Sequence, residues 1–308
     1  MRIGVSAGGT IDRMIEQTKQ AEADGFTSIW FAGTIGLDPL TVIALCGRES
    51  ERIELGTSIV QSYPRHPVAM AQQAATIRAV VGPGRFTLGL GVSHEPNITQ
   101  SLGMSYDAPA AHMREYLAIV GALLSKGQAN HDGERYRVRY QLPAGADAEP
   151  VPLLVAALAP HMLRAAGALA DGTITWMANR RAIETHVAPR IRRAAERAGR
   201  AAPRVVVGLP VAVCDDPTEG RAAAQQTFAR YGMLPNYRRI LDIGGAEGAG
   251  DAAIVGDEET VAAEFRALID AGATDIWAAT FPLGDDREAR AASRRRTQAL
   301  LIDLARAS

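Results

Sequence analysis

The chain has 308 residues, of which 47% are hydrophobic, 22% are charged and 5% are aromatic, and its formal net charge is −1. The length and the apolar fraction exclude an intrinsically disordered chain, and the balanced charge argues against a nucleic-acid partner. We find no apolar run of about 18 residues and no charged and then apolar leader after Met1, so we expect a cytoplasmic protein with no membrane partner.

Eight short, β-branched runs alternate with helical segments along the chain. In chain order, the predicted strands are Arg2–Ser6, Ser28–Ala32, Ile53–Ile59, Phe86–Gly91, Pro152–Ala156, Gly172–Trp176, Arg204–Val213 and Asp275–Ala279. Helix starts between them are marked by capping residues or by a proline in the first turn, at Thr10, Asp38–Pro39, Ala159–Pro160 and Asp216–Pro217. Eight βα units in this length predict a closed (β/α)8 barrel, a TIM barrel, with residues 1–308 as a single domain.

Two stretches interrupt this alternation. Residues 126–151 follow the fourth predicted strand and contain an alternating, strand-like run at 133–140 and a small-residue loop at 144–147. Residues 232–256 follow the seventh predicted strand, and their glycine-rich run at 243–250 argues against a helix interior. We predict that both are insertions on the barrel, after strands 4 and 7, and not boundaries between domains.

Clusters of one residue type give little direct evidence of chemistry. Neither the two cysteines, Cys46 and Cys214, nor the six histidines show the spacing of metal ligands, so we expect no metal. Arginines are dense at 190–204 and 294–296, but they lie in helical patterns with acidic neighbours. These runs predict solvated helix faces.

Segments near the predicted strand ends carry a family resemblance. In chain order they read AEADGF (21–26), LGT (55–57), YPRHP (63–67), GRFTLGLG (84–91), HMREYL (112–117), ALAPHMLRAAGALADG (157–172) and VGDEETVAAEFRALIDAG (255–272). Together they resemble the luciferase-like monooxygenase family, in particular its branch that uses the deazaflavin coenzyme F420. The resemblance implies a barrel with insertions and an oxidoreductase that moves a hydride between C5 of the deazaflavin and a small organic substrate, without inserting oxygen.

The resemblance also implies contacts with the cofactor. A non-prolyl cis peptide at Ser58–Ile59 would support the ring from behind, whereas an ordinary trans strand end is the alternative. Tyr63 and Trp176 would line the ring pocket, although aromatic residues at strand ends also serve in plain packing. Backbone amides at two places would hold the phosphate: Gly91, Val92 and Ser93 after the fourth strand, and Ala157, Leu158 and Ala159 before the fifth helix.

Three ionisable residues have two interpretations each. His94 is the candidate catalytic residue, as a proton donor or as a hydrogen-bond partner of the cofactor, but it is equally an ordinary polar loop residue. Arg65 and His66 would reach the acidic oligoglutamate tail of the deazaflavin or would cap the third helix, and we favour the cap. The second strand ends in WFAGT (30–34) without the acidic residue and histidine that many F420-dependent relatives carry there, so their substrates do not transfer to this chain.

Two other functions share the expected barrel and phosphate site. One is an FMN-dependent monooxygenase that receives reduced flavin from a partner reductase. The other is a non-catalytic protein that binds a flavin or deazaflavin. The balanced charge argues for a small-molecule partner, and the resemblance implies a homodimer.

Overall fold

The computed structural model describes residues 1–33, 36–142 and 149–307. The strands in these residues are Arg2–Ala7 (β1), Ser28–Gly33 (β2), Glu54–Gln61 (β3), Phe86–Gly91 (β4), Gln128–Asp132 (β5), Arg137–Gln141 (β6), Leu153–Ala156 (β7), Gly172–Trp176 (β8), Arg204–Val213 (β9), Ile254–Gly256 (β10) and Asp275–Thr280 (β11). The α-helices are Ile11–Asp24 (α1), Pro39–Arg48 (α2), Pro67–Val81 (α3), Pro109–Lys126 (α4), Pro160–Leu169 (α5), Arg180–Ala182 (α6), Ala188–Arg197 (α7), Pro217–Met233 (α8), Pro235–Gly244 (α9), Ala249–Ala252 (α10), Glu258–Asp270 (α11) and Arg287–Arg306 (α12). Short π-helical turns occur at Asn97–Ser101 and Ile183–Val187.

Eight parallel strands close into a barrel. The pairing runs β1–β2–β3–β4–β7–β8–β9–β11, and β11 pairs with β1 to complete the ring. All eight are the strands predicted from periodicity, and the predicted (β/α)8 barrel is confirmed. None of the helices in the described ranges is both long and apolar enough to cross a membrane.

Helices begin where capping side chains are available. Thr10 accepts a hydrogen bond from the N–H of Arg13, Asp38 accepts one from Thr41, and Asp216 accepts one from Thr218. The predicted start at Ala159–Pro160 differs, because Ala159 has no side chain that can cap α5. Pro160 has no N–H group, so the N–H groups of His161 and Met162 in the first turn of α5 remain available to another acceptor.

Both interruptions contain extra elements. In the first, β5 and β6 form an antiparallel hairpin, and the run predicted at 133–140 as one strand divides into the turn at 133–136 and the greater part of β6. The predicted loop at 144–147 lies outside the described residues. In the second, α9 ends at Gly244 and is followed by Gly245, which adopts a left-handed φ of 69°, and β10 adds to the carboxyl half of β9. Glycine thus stops α9 at the start of the glycine-rich run.

Tryptophans and glycines together fill the barrel interior. A Cβ atom at Gly56 would lie 2.3 Å from the ring of Trp30, and one at Gly208 would lie 2.2 Å from the ring of Trp277. Only glycine leaves room for these rings. Next to them pack the inward-facing side chains of the other strands, among them Ile59, Leu154, Ile174 and Val206.

An ionic cluster fills the amino end of the barrel. Glu54 and Asp275 are buried, and Arg204 contacts both, with N–O distances of 2.7 Å to Glu54 and 2.5 Å to Asp275. Arg2 also pairs with both carboxylates, and the guanidinium of Arg204 lies 5.9 Å from the centre of the Trp30 ring. Burial opposes ionisation of Asp275, but the hydrogen bonds and charge of Arg204 outweigh it and hold the pKa of Asp275 below its ordinary value.

Candidate functional site

A cavity of about 490 Å³ lies at the carboxyl ends of the barrel strands. Strands β2, β3, β4, β7, β8 and β11 contribute lining residues, and α8 and α9 cover one side. This size and position are typical of a site for a small molecule or a cofactor in a barrel of this kind.

The floor of the cavity is apolar and closely packed. It includes Ile59, Ala156, Ile174 and Trp277. A Cβ atom at Gly91 would lie 2.7 Å from Cδ1 of Ile59, so the absence of a side chain at Gly91 sets the position of Ile59. The Ser58–Ile59 peptide bond is cis, at the position that the resemblance implies.

Two chain segments present free N–H groups at the cavity wall. Val92 and Ser93 follow β4, and Leu158 and Ala159 precede α5; all four line the cavity. Within the described part of the chain, the N–H groups of these four residues donate to no acceptor. Together with the uncapped start of α5, they form a site suited to a phosphate or another anion.

Polar side chains hold these two segments in place. The Nε2–H group of His186 donates to the carbonyl oxygen of Leu158 at 2.8 Å. The hydroxyl of Tyr106 donates to the carbonyl oxygen of Ser93 at 3.0 Å, and Nδ2 of Asn97 donates to Oγ of Ser93 at 3.3 Å. The N–H groups are therefore positioned before any ligand binds.

Left-handed backbone at non-glycine residues is concentrated around the cavity. In the described ranges it occurs at Ser93 (φ 61°), Ala108 (φ 45°) and Met177 (φ 62°). Ser93 lines the cavity, Ala108 immediately precedes the lining residue Pro109, and Met177 follows Trp176. Such conformations cost energy in L-residues and are common at functional sites.

His94 lies in the cavity wall beside Ser93. Its ring packs against Tyr237 with the ring centres 5.4 Å apart, and its ring nitrogens hydrogen-bond to no described residue. Burial and the nearby positive charge of Arg230 lower the pKa of His94 below its ordinary value of 6.5. The imidazole is therefore neutral at neutral pH, with a lone pair that can accept a proton.

Aromatic residues from α8 and α9 form one side of the cavity. Trp176 contacts Trp277 and Tyr231, with ring centres 5.2 Å and 5.6 Å apart, and Tyr231 contacts Tyr237 at 4.9 Å. Arg230 lies next to Tyr231 in this wall. The wall combines an apolar surface with one cation and a small number of hydrogen-bonding groups.

Tyr63 lies behind the cavity wall. It does not line the cavity, but it packs on Tyr106, which does, with ring centres 5.5 Å apart. On its other side it stacks on His112 at 4.0 Å, and Nε2 of His112 lies 2.9 Å from Oγ of Ser62. The ring-lining role implied for Tyr63 is not supported by this position.

Arg65 and His66 are engaged in local structure. The guanidinium of Arg65 pairs with the carboxylate of Asp38, and Nδ1 of His66 accepts a hydrogen bond from the N–H of Val68 at 3.3 Å. Neither residue lines the cavity. The capping interpretation is therefore confirmed for His66.

Comparisons with known proteins agree with the barrel. The family model described as luciferase-like monooxygenase matches residues 2–303. This chain belongs to the luciferase-like monooxygenase family. It is 28% identical over 233 residues to the F420-dependent glucose-6-phosphate dehydrogenase of Nakamurella multipartita, which covers 71% of this chain and 68% of that protein.

Two solved structures illustrate the range of cofactors in similar folds. The coenzyme F420 dependent tetrahydromethanopterin reductase of Methanopyrus kandleri has a TM-score of 0.75 and 21% identity, with 99% of this chain and 96% of the other covered. The oxygenating constituent of 3,6-diketocamphane monooxygenase of Pseudomonas putida, solved with FMN, has a TM-score of 0.72 and 17% identity. The match covers 98% of this chain and 96% of the other. At these identities the two structures show the common fold.

In this member of the luciferase-like family, ten of the eleven residues expected to contact a cofactor meet around one cavity: Ser58, Ile59, Gly91, Val92, Ser93, His94, Ala157, Leu158, Ala159 and Trp176. Their contact with a cofactor remains a prediction. The described residues contain no group of three or more His, Cys, Asp or Glu side chains placed to hold a metal ion.

The sequence interpretation missed the wall formed by α8. Thr227, Arg230 and Tyr231 of α8 line the cavity at the helical spacing i, i+3 and i+4, and Leu234, which follows the end of α8, lines it too. This periodicity is visible in the sequence. It does not reveal whether the face is turned towards a core or towards a cavity.

Proposed function

We propose that the protein is an oxidoreductase that binds coenzyme F420 in this cavity and transfers a hydride between C5 of the deazaflavin and a small organic substrate. The observation that carries the proposal is the combination of free N–H groups on the wall, at Val92–Ser93 and Leu158–Ala159, with the apolar floor at Ile59. When bound, the deazaflavin supplies C5 as the hydride donor or acceptor. The similarity to F420-dependent dehydrogenases and reductases supports this cofactor.

The residues present fit such a cofactor. The N–H groups would hold its phosphate, because unpaired N–H donors and the positive end of the α5 dipole favour an anion. Ile59 would support the ring from below, and Trp176 would lie beside it. Oγ of Ser58 is buried without a hydrogen-bond partner among the described residues, so a polar edge of a bound ring would satisfy it.

His94 would handle the proton that accompanies hydride transfer. A substrate hydroxyl must lose a proton when its carbon gives up a hydride, and the neutral imidazole can accept it. The lowered pKa keeps the imidazole unprotonated at neutral pH, so His94 would begin a turnover of substrate oxidation as the proton acceptor. The role of proton donor, which the sequence suggested, would apply to reduction of the substrate. In that direction the imidazole must be protonated before it can donate.

A binding titration tests the proposed cofactor. Purified protein is titrated with oxidised F420 and separately with FMN, and the dissociation constants are compared. We expect micromolar or tighter binding of F420 and weaker binding of FMN. The opposite order, together with oxygen consumption in the presence of reduced flavin, would instead identify an FMN-dependent monooxygenase.

A second experiment tests the chemistry. The F420-loaded protein is mixed in single turnover with a panel of alcohols, and reduced protein with a panel of ketones, imines and enones, while the deazaflavin absorbance is followed. Hydride transfer with at least one compound is expected. Tight binding without transfer to any compound would support a non-catalytic binding protein.

A further inference from the structure

A second concave surface lies on the outside of the barrel, between α5 and α7. Its volume is about 440 Å³, and four arginines line it: Arg164, Arg190, Arg193 and Arg197. We call it the arginine groove. The three arginines of α7 are spaced i, i+3 and i+7, so they lie on one helix face, and Arg164 faces them from α5.

The charge of this groove is not neutralised by the chain. Among the described residues, none of the four arginines forms an ion pair, and no carboxylate lines the groove. Arg190 and Arg193 each donate to backbone carbonyl oxygens of their own helical segment, and each keeps other N–H groups free. Four unpaired guanidinium groups in a chain of net charge −1 mark a binding site for an anion.

Small side chains complete the lining of the groove. Ala168, Ala194 and Ala198 line it together with Arg164 of α5 and the three arginines of α7. A flexible chain with several carboxylates would lie along these alanines with its charges near the guanidinium groups. A folded nucleic acid would require a wider basic surface than this protein has.

The arginine groove begins next to the cavity wall that presents the free N–H groups of Leu158 and Ala159. Ala159 and His161 line the cavity, and Pro160, which lies between them in the chain, lines the groove. Arg164 and His161 also contact each other, at 2.6 Å between Nη2 and Nδ1. A ligand whose phosphate binds at the start of α5 is therefore at the entrance to the groove.

We infer that the arginine groove binds the acidic oligoglutamate tail of a deazaflavin whose phosphate is held at the start of α5. This inference rests on the proposed function. It assigns to the tail a site other than Arg65, which pairs with Asp38. It also provides a physical basis for preferring F420 over FMN, because FMN ends at its phosphate and has no group to place in the groove.

Fluorescence titration with two forms of the deazaflavin tests the inference. The ligands are F420 with several glutamates and the same deazaflavin phosphate without glutamates. We expect the wild type to bind the tailed form five- to tenfold more tightly, which at 1.4 kcal/mol per factor of ten corresponds to about 1 to 1.4 kcal/mol. This is the size expected for a few exposed charge pairs.

Substitutions assign the effect to the groove. The double variant R193Q/R197Q should lose the preference for the tailed form and keep the wild-type affinity for the untailed form. The control R294Q/R295Q removes the same charge from exposed positions on α12 and should bind both forms as the wild type does. Raising the salt concentration should reduce the preference of the wild type and leave R193Q/R197Q unchanged.

The outcomes separate the two proposals. Equal binding of both forms by the wild type, or an unchanged preference in R193Q/R197Q, would overturn the groove as the tail site while F420 binding stands. Failure of both deazaflavin forms to bind would overturn the proposed function and this inference with it. A change of oligomeric state in R193Q/R197Q, measured by light scattering, would show that the groove is an interface between copies and would also overturn the inference.

Discussion

Removing the central arginine of the ionic cluster should destabilise the fold strongly. Arg204 is the shared partner of Glu54 and Asp275, whose side chains are only 9% and 2% exposed. In R204M both carboxylates would rely on Arg2, which is about half exposed. Removing one partner of a buried ion pair costs about 3 to 5 kcal/mol, because the remaining charge stays buried without compensation.

This cost converts into a measurable change of melting temperature. An unfolding entropy of about 2.1 cal/mol/K per residue gives about 0.65 kcal/mol/K for a chain of this length. The expected decrease for R204M is therefore roughly 5 to 8 °C, measured by calorimetry at pH 7. The variant R200Q is the matched control, because it breaks an exposed pair with Asp171 and should cost about 1 kcal/mol or less.

The difference between R204M and the wild type should also depend on pH. A carboxylate with a lowered folded-state pKa contributes stability above its unfolded pKa, and this contribution is lost as the pH falls through the folded value. For Asp275 the ordinary value is 3.8, so the full difference is present at neutral pH and decreases below about pH 4. Adding D275N to R204M should restore part of the stability. A melting temperature for R204M no lower than that of R200Q would refute the assignment of the cluster as a stabilising element.

Three further changes probe the cavity and its surroundings. H94Q should lower the steady-state rate of substrate oxidation about 100-fold at saturating F420, and the wild-type rate should be retained at pH 6.5 and fall only at lower pH, because burial and Arg230 lower the pKa at which the imidazole becomes protonated. G91A should weaken F420 binding at least tenfold and lower the melting temperature by roughly 2 to 5 °C, because the new Cβ would displace Ile59. Between pH 6.5 and 4 the free energy of unfolding should fall by about 3 kcal/mol, because burial lowers the pKa of His112 to about 4 and the unfolded chain binds that proton first; H112Q should remove this part of the slope.

Each of these changes has a control or a contradicting result. An H94Q enzyme with the wild-type rate and the same pH profile would exclude His94 from proton transfer. G121A is the control for G91A, because its Cβ would make only ordinary contacts of 3.8 Å or more; equal effects of the two would argue against a special role of Gly91. For His112, an H112Q protein with the full wild-type dependence on pH would contradict the assignment.

The barrel was predictable because its signals are local. Each strand is a short β-branched run. Several helices begin at a capping residue, such as Thr10 or Asp38, whose side chain bonds an N–H group only three residues further along the chain. The strands and the helix starts follow from periodicity and capping alone. The family resemblance implied that the segments at Gly91 and Ala159 share one site, and the topology explains why they meet, because the carboxyl ends of parallel strands lie at the same edge of a barrel.

The features that escaped prediction depend on how distant segments face each other. Glu54, Arg204 and Asp275 are far apart in sequence, and only the closure of β11 on β1 and β9 brings them together. Tyr63 was expected at the cavity because it follows β3, but Tyr106 lies in front of it. The sequence between β4 and α4 has no periodic signal that reveals this placement.

The arginines of α7 are another case in which the sequence does not show which distant segment lies opposite. From the sequence they form a solvated helix face, and in the structure Arg193 and Arg197 are indeed exposed. Their exposure acquires a proposed functional meaning only because α5 lies opposite and carries Arg164 beside the free N–H groups of Leu158 and Ala159. Although the whole chain has almost no net charge, these arginines concentrate positive charge next to that part of the cavity wall. A ligand with a compact apolar ring, a phosphate and an acidic chain matches these three surfaces in the order in which the protein presents them, whereas a ligand that ends at its phosphate would leave the third without a partner.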